Sequence, residues 1–155
     1  MKILVIGAGA IGSLVGGKLA LAGEEVTLAG RPRFAAAVQA RGLHLIDESG
    51  ERSITTIVAA ASIAEAVSTQ PEPFDLAIFT VKSYDTATAL AELAAASDAQ
   101  HRPVRSLLSV QNGVGNEEAL AAAFPVTPVI AGSITTPVSV PDVATIRIDK
   151  PRYHL

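Results

Sequence analysis

"MKILVIGAGAIGSLVGGKLALAG", residues 1–23, decides how the rest of the chain is read. Lys2 to Ile6 is a short apolar run rich in β-branched residues, the pattern of a strand buried on both faces. Gly7, Gly9 and Gly12 follow directly as a Gly-x-Gly-x-x-Gly string. Ala10 to Ala22 then reads as a helix with small residues on several faces. Gly23 stands where helices end on glycine. Glu25 to Leu28 is a second strand. Strand, glycine turn, helix and strand within about 30 residues make a βαβ unit.

The glycine string alone says little, but between a strand and a helix each glycine acquires a role. Gly7 permits the tight turn. Gly9, without a side chain, leaves the backbone open to a pyrophosphate. Gly12 lets the helix pack close to the strand. The helix N-terminus then presents unpaired N–H groups and a positive dipole end to phosphate. The site so read runs through Gly7, Ala8, Gly9, Ala10, Ile11 and Gly12. The alternative is a close-packed turn that binds nothing.

The end of the second strand separates the cofactors. Enzymes using NAD place Asp or Glu there, against the ribose 2′-hydroxyl. Here the strand ends "TLAGRPR", residues 27–33, with Arg31 in place of an acid and Arg33 close by. A guanidinium fork suits a 2′-phosphate. The residues therefore favour NADP(H), the alternative being that Arg31 is an ordinary solvated loop arginine.

Composition sets the bounds. A chain of 155 residues is one domain's worth, and 49% hydrophobic with 17% charged residues is globular. A net charge of −3 lacks the basic surplus of a nucleic-acid binder. There is no cysteine, hence no disulfide framework and no thiolate chemistry, which fits the cytoplasmic location expected here. A signal peptide is rejected because the glycines interrupt the apolar stretch at turn spacing. No run reaches the roughly 18 apolar residues a membrane span needs. His44, His101 and His154 are far apart and lack carboxylates at ligand spacing, so no metal site is expected.

Further along, Arg33 to Arg41 reads as a short helix after Pro32. Leu43 to Ile46 and Ile54 to Val58 read as strands joined by the turn-rich Asp47-Glu48-Ser49-Gly50. Ser62 caps a short helix through Val67. Asp75 to Val81 is an apolar strand, and Asp85 to Ala96 a helix capped by Asp85. Ser106 to Val110 is a strand, and a helix runs from Gly115 or Asn116 to Phe124. Val129 to Ile134 and Val143 to Ile148 are further strands. The alternation predicts an α/β fold: a Rossmann-type doubly wound, mostly parallel sheet with helices on both faces, in a single domain spanning residues 1–155.

Two segments add chemistry at the same sheet edge. In "IFTVKSYDT", residues 78–86, Val81 and Lys82 lie just past a strand's carboxyl end, where ligands bind in open α/β sheets. Lys82 can neutralise phosphate or a substrate carboxylate, or be a plain surface lysine. In "SVQNGVGNEEAL", residues 109–120, Asn112-Gly113 is a turn pair at a strand end. Asn112 can direct its amide at the nicotinamide ribose or the substrate, or serve turn chemistry alone. Gly113 and Gly115 keep that loop close to a ligand. Thr135 and Thr136 follow the next strand, as substrate-proximal groups or as plain strand residues.

Together "KILVIGAGAIGSLVGGKLALAG", "VTLAGR", "TVKSYDT", "QNGVGNEEAL" and "GSITTP", in that order, resemble the ketopantoate reductase (2-dehydropantoate 2-reductase) family over essentially the whole chain. The resemblance implies NADPH-dependent hydride delivery to a 2-keto acid, in pantothenate and hence coenzyme A biosynthesis. By that resemblance Arg31 and Lys82 handle the 2′-phosphate side, and Asn112 lies near the nicotinamide and substrate, with Gln111 and Gly113 beside it among the cofactor-binding residues.

Family members carry a second, helical domain that supplies the acid–base lysine and an acidic substrate-binding residue. No catalytic residue is therefore expected in this chain, and neither Lys82 nor Lys150 is assigned that role. The expectation is a cofactor domain cut from a longer protein, weak in turnover alone, able to form a homodimer through exposed sheet edge. The alternatives are a non-catalytic dinucleotide-binding module and another NADP-dependent 2-keto acid reductase.

Overall fold

The computed structural model describes residues 1–97 and 102–149. The first strand, β1 (Lys2–Ile6), leads through the glycine turn into α1 (Ala10–Leu21) and β2 (Glu25–Ala29). Next come α2 (Pro32–Arg41), the hairpin β3 (Leu43–Asp47) and β4 (Gly50–Ile54), β5 (Val58–Ala60) and α3 (Ile63–Ser68). After β6 (Leu76–Phe79), a single 3-10 turn, Ser83–Asp85, runs into α4 (Thr86–Ala95). The rest is β7 (Leu107–Ser109), α5 (Asn116–Ala123), β8 (Val129–Ala131), β9 (Val138–Asp142) and β10 (Thr145–Ile148).

Six strands pair in parallel in the order β5-β2-β1-β6-β7-β8. Numbered among themselves along the chain, they run 3-2-1-4-5-6, the doubly wound dinucleotide-binding order. Its switch point falls between β1 and β6, so a crevice opens at their carboxyl ends. Alternation along each strand divides the core. Ile3, Val5, Val26, Leu28 and Ile78 pack against α1 and α2, whereas Leu4, Ile6, Ala77, Phe79 and Leu107 pack against α3, α4 and α5.

A second sheet, β4-β3-β10-β9, is the main departure from the expected single sheet. Here β10 runs parallel to β3 and antiparallel to β9. Its Leu43, Leu45, Ile54, Ile146 and Ile148 join the α1–α2 side of the core, so α1 is covered on two sides. Small residues make this possible. A Cβ at Gly16 would lie 2.6 Å from Leu28 Cδ2, and one at Gly17 3.2 Å from Leu43 Cδ2.

The expected strand Ile54–Val58 is corrected: Ile54 ends β4 in the second sheet and Val58 begins β5 in the first. β9 has no counterpart in the sequence reading, and β10 begins at Thr145, not Val143, because Ala144 turns at φ 58° between the two strands. The strands expected over Asp75–Val81, Ser106–Val110 and Val129–Ile134 are shorter at their ends. Ser62 does cap α3, accepting from Glu65 N at 3.0 Å. Asp85 does not cap α4: its backbone is already helical (φ −95°, ψ −6°), which turns its carboxylate away from the N–H groups that an extended cap residue meets. His101, His154 and Lys150 lie outside the described residues. No helix among the described residues is long and apolar enough to cross a membrane.

Candidate cofactor site

Gly7 turns the chain at φ 104°, where its N–H and that of Ala8 both donate to Ala29 O, at 3.0 and 3.1 Å. A Cβ on Gly7 would stand 2.8 Å from Val81 N. A Cβ on Gly12 would stand 2.1 Å from Gly7 O and 2.5 Å from Thr80 Oγ1. Thr80 Oγ1 in turn lies 3.0 Å from Ile6 O and 2.7 Å from Gly7 O and donates its one proton there, pinning the turn to β6. Around Gly9 the opposite holds: nothing lies within 4 Å of an added Cβ. The three glycines thus differ in geometry: Gly7 turns the chain, Gly9 stands open and Gly12 packs close. Gly9 is the N-cap of α1 and has no side chain to cap it. The first N–H groups of the helix therefore point outward without intrahelical partners.

These groups form one wall of a cleft of about 750 Å³ at the switch point. Gly7, Ala8, Gly9, Ala10 and Ile11 line it, as do Arg31, Val81, Lys82, Gln111 and Asn112. Three expected residues do not. Gly12 is buried in the packing of α1, Gly113 (φ 104°) shapes the neighbouring turn, and Thr135 follows β8 on the outer part of the sheet edge. Arg31 is exposed at the N-cap of α2, and Lys82 is exposed beyond β6. Among the described residues neither is in an ion pair, while Lys2, Lys18, Arg41, Arg52 and Arg105 all are.

Sequence reasoning missed several contributors. A Cβ at Gly30 would fall 2.7 Å from Ala8 Cβ, so that glycine lets the β2 loop close on the glycine turn. Glu92, on α4, lines the cleft and accepts from Ile63 N at 2.9 Å and Ala64 N at 3.2 Å. Gln111 is placed at the cleft, but its amide is used internally: Nε2 donates to Val81 O at 2.9 Å and to Thr86 Oγ1 at 2.7 Å. Thr86 and Asn116 are buried polar residues in the same network. Only Gly30 had a local signal, following β2 directly. Among the described residues no cluster of three or more His, Cys, Asp or Glu is placed to hold a metal. His44 instead faces Glu51 Oε1 at 2.7 Å and Arg41 O at 3.2 Å.

The donor set fits a dinucleotide phosphate ester: a side-chain-free approach at Gly9, a helix N-terminus, and two cations without acidic partners among the described residues. Strand order and cleft together define a doubly wound α/β domain of the kind found in dinucleotide-binding reductases. Residues 3–151 match the family described as ketopantoate reductase PanE/ApbA, and the chain belongs to that family. The 2-dehydropantoate 2-reductase of Pyrococcus horikoshii is 48% identical over 120 residues, which cover 76% of this chain and 35% of that protein. A crystal structure of a PanE/ApbA family ketopantoate reductase from Ralstonia eutropha JMP134 superposes with TM-score 0.80 at 30% identity, covering 97% of this chain and 47% of that one. D-mandelate dehydrogenase, solved with NADH and anilino(oxo)acetate, shares the fold at TM-score 0.77 and 22% identity, covering 97% of this chain and 46% of that one. The chain spans about a third of the curated relative's length and about half of the solved chains'.

Proposed function

We propose that this chain is the NADP(H)-binding part of an NADPH-dependent 2-keto acid reductase whose substrate is 2-dehydropantoate. The observation that carries the cofactor choice is the pair Arg31 and Lys82, both on one cleft and, among the described residues, both without a carboxylate partner. A cation in that state is available to a 2′-phosphate, and β2 ends without the acid that would favour NAD. The free N–H groups of Ala10 and Ile11, in the first turn of α1, hold the pyrophosphate beside the open backbone at Gly9. Asn112 stands at the nicotinamide end, and Thr135 lies on the substrate side. The bound dinucleotide supplies the hydride. The substrate assignment and its pantothenate role follow from the family, and the acid–base lysine belongs to a further domain that the longer relatives have room for. The absence of cysteine fits a cytoplasmic enzyme.

Calorimetric titration with NADPH and NADH tests the cofactor. NADPH binds about 10- to 100-fold more tightly, the scale of charge-assisted hydrogen bonds, and Arg31→Ala removes most of that margin. Equal or tighter binding of NADH, or an unchanged margin in Arg31→Ala, contradicts the reading. 2-Dehydropantoate-dependent oxidation of NADPH by the protein carrying both halves tests the substrate.

A further inference from the structure

We propose that Thr86, braced between Gln111 and Asn116, is a positioning residue for Lys82. This buried hydrogen-bond chain thereby sets how strongly the protein prefers a dinucleotide bearing a 2′-phosphate. The inference rests on the NADP(H) reading above and adds residues which that reading leaves without a role.

The chain of bonds runs through four segments. Gln111 Nε2 donates to Val81 O and to Thr86 Oγ1. Thr86 Oγ1 donates to Asn116 Oδ1 at 3.3 Å. Asn116 Nδ2 donates to Asn112 O at 3.3 Å. Thr86 and Asn116 are each 4% exposed.

The direction of every proton is fixed. Val81 O and Asn112 O can only accept, so both amides must present nitrogen to them. Gln111 then has a second proton for Thr86, whose single hydroxyl proton goes to the only acceptor left, Asn116 Oδ1. A flipped Gln111 would set Oε1 against Val81 O, acceptor to acceptor. The amide keeps its orientation although Oε1 is buried without a partner.

The brace sits where the backbone offers least. Lys82 is extended (φ −64°, ψ 147°) between the end of β6 and a one-turn 3-10 segment. Asp85 N to Lys82 O, at 2.8 Å, is a bond within the loop itself and does not tie it to the sheet. The bond from Gln111 to Val81 O anchors the residue preceding Lys82 to the loop after β7. A lysine ammonium is a point charge on a flexible stem, so its placement depends on where its backbone is held. Asn112 is fastened at the far end of the same chain.

Thr86→Val keeps the side-chain shape and removes both the acceptor and the donor. The measurement is the NADPH and NADH affinities of the wild-type chain and the variants by calorimetry, with a thermal melt beside each. Thr86→Val lowers the NADPH/NADH affinity ratio about three- to ten-fold, the scale of one or two neutral hydrogen bonds. Thr86→Ser restores it. In a Lys82→Ala background Thr86→Val leaves the ratio unchanged, because the cation it positions is gone. Gln111→Met, which removes both Nε2 bonds, lowers the ratio at least as far and serves if Thr86→Val fails to fold.

A purely structural role would weaken both dinucleotides together and leave the ratio alone, and that result overturns the proposal. So does an equal effect of Thr86→Val with and without Lys82. A wild-type chain with no NADPH preference overturns both this inference and the cofactor reading. Preserved preference in the variants of a chain that does prefer NADPH overturns this inference alone.

Discussion

Around Gly7 to Gly12 the backbone itself makes the candidate site, whereas around Lys82 and Asn112 side chains hold loops that have little else to fix them. At the glycine turn, Gly7 and Ala8 bond to Ala29, and a Cβ on Gly12 would collide with Gly7 O. Nothing there can move without taking β1, β2 and α1 with it. Across the cleft, Lys82 and Asn112 are exposed, and their loops are tied by Gln111, Thr86 and Asn116. One wall is therefore rigid and specified by the absence of side chains. The other is adjustable and specified by a few buried polar ones. This difference matches the two tasks proposed for them: a pyrophosphate is common to all dinucleotides, and the 2′-phosphate distinguishes one from another.

The largest effect that would break this contrast is expected at Gly12. Gly12→Ala puts a methyl 2.1 Å from a backbone oxygen that cannot retreat without opening the turn. It costs about 3 kcal/mol or more, the upper range for overpacking, read as a fall in denaturation midpoint. A melt like the wild type's would show that α1 can shift and that the close approach is not required.

Gly9→Ala, three residues earlier, is the complementary case. The position is extended (φ −81°, ψ −161°) and nothing lies within 4 Å of the added carbon. Stability should stay within about 0.5 kcal/mol of wild type, while NADPH affinity falls about ten-fold, close to 1.4 kcal/mol. Unchanged affinity would separate the open position from the pyrophosphate.

The smallest effect sharpens the comparison from a third region. Asp47 is also a side-chain brace, but a charged one, joining α1 to the β3–β4 hairpin. It pairs with Lys18 Nζ at 2.7 Å and Arg52 Nη2 at 2.5 Å. The bond from Lys18, with those from Ser49, holds its carboxyl well below the usual carboxylate range. A depressed folded value means that the stabilisation is complete above the unfolded value, about 3.9, and is lost as pH falls below it. Thermal melts from pH 7 to pH 3 should therefore fall below about pH 4, less steeply in Asp47→Asn. Identical slopes would remove Asp47 from the account. The neutral Thr86 brace has no such dependence.

What the sequence disclosed follows the same contrast. The unit β1–turn–α1–β2 was readable because a glycine's demands are local: φ 104° at Gly7 and the contact at Gly12 depend on the next few residues. The parallel order followed from strands alternating with helices. The second sheet did not, because β10 pairs with β3 from about a hundred residues away, and β9 carries Pro141 in a segment that does not read as a strand. Ile54, Ile57 and Val58 form one β-branched stretch although the chain leaves one sheet and enters another within it. Thr86 and Asn116 begin helices, where short polar residues are ordinary. Only the folded structure pairs them with each other and with Gln111. The cleft's residues were thus largely legible, and the means of holding two of them were not.

The most direct test is to map the bound dinucleotide on the chain by backbone amide chemical shifts during titration with NADPH. The account predicts that the perturbed amides cluster at Gly7 to Gly12, Arg31, Lys82 and Gln111 to Gly113. Shifts centred on the second sheet, or on the small groove between α4 and α5 around Phe124, would contradict it. So would saturation with NADPH that leaves the amides of Gly9 and Ala10 unmoved.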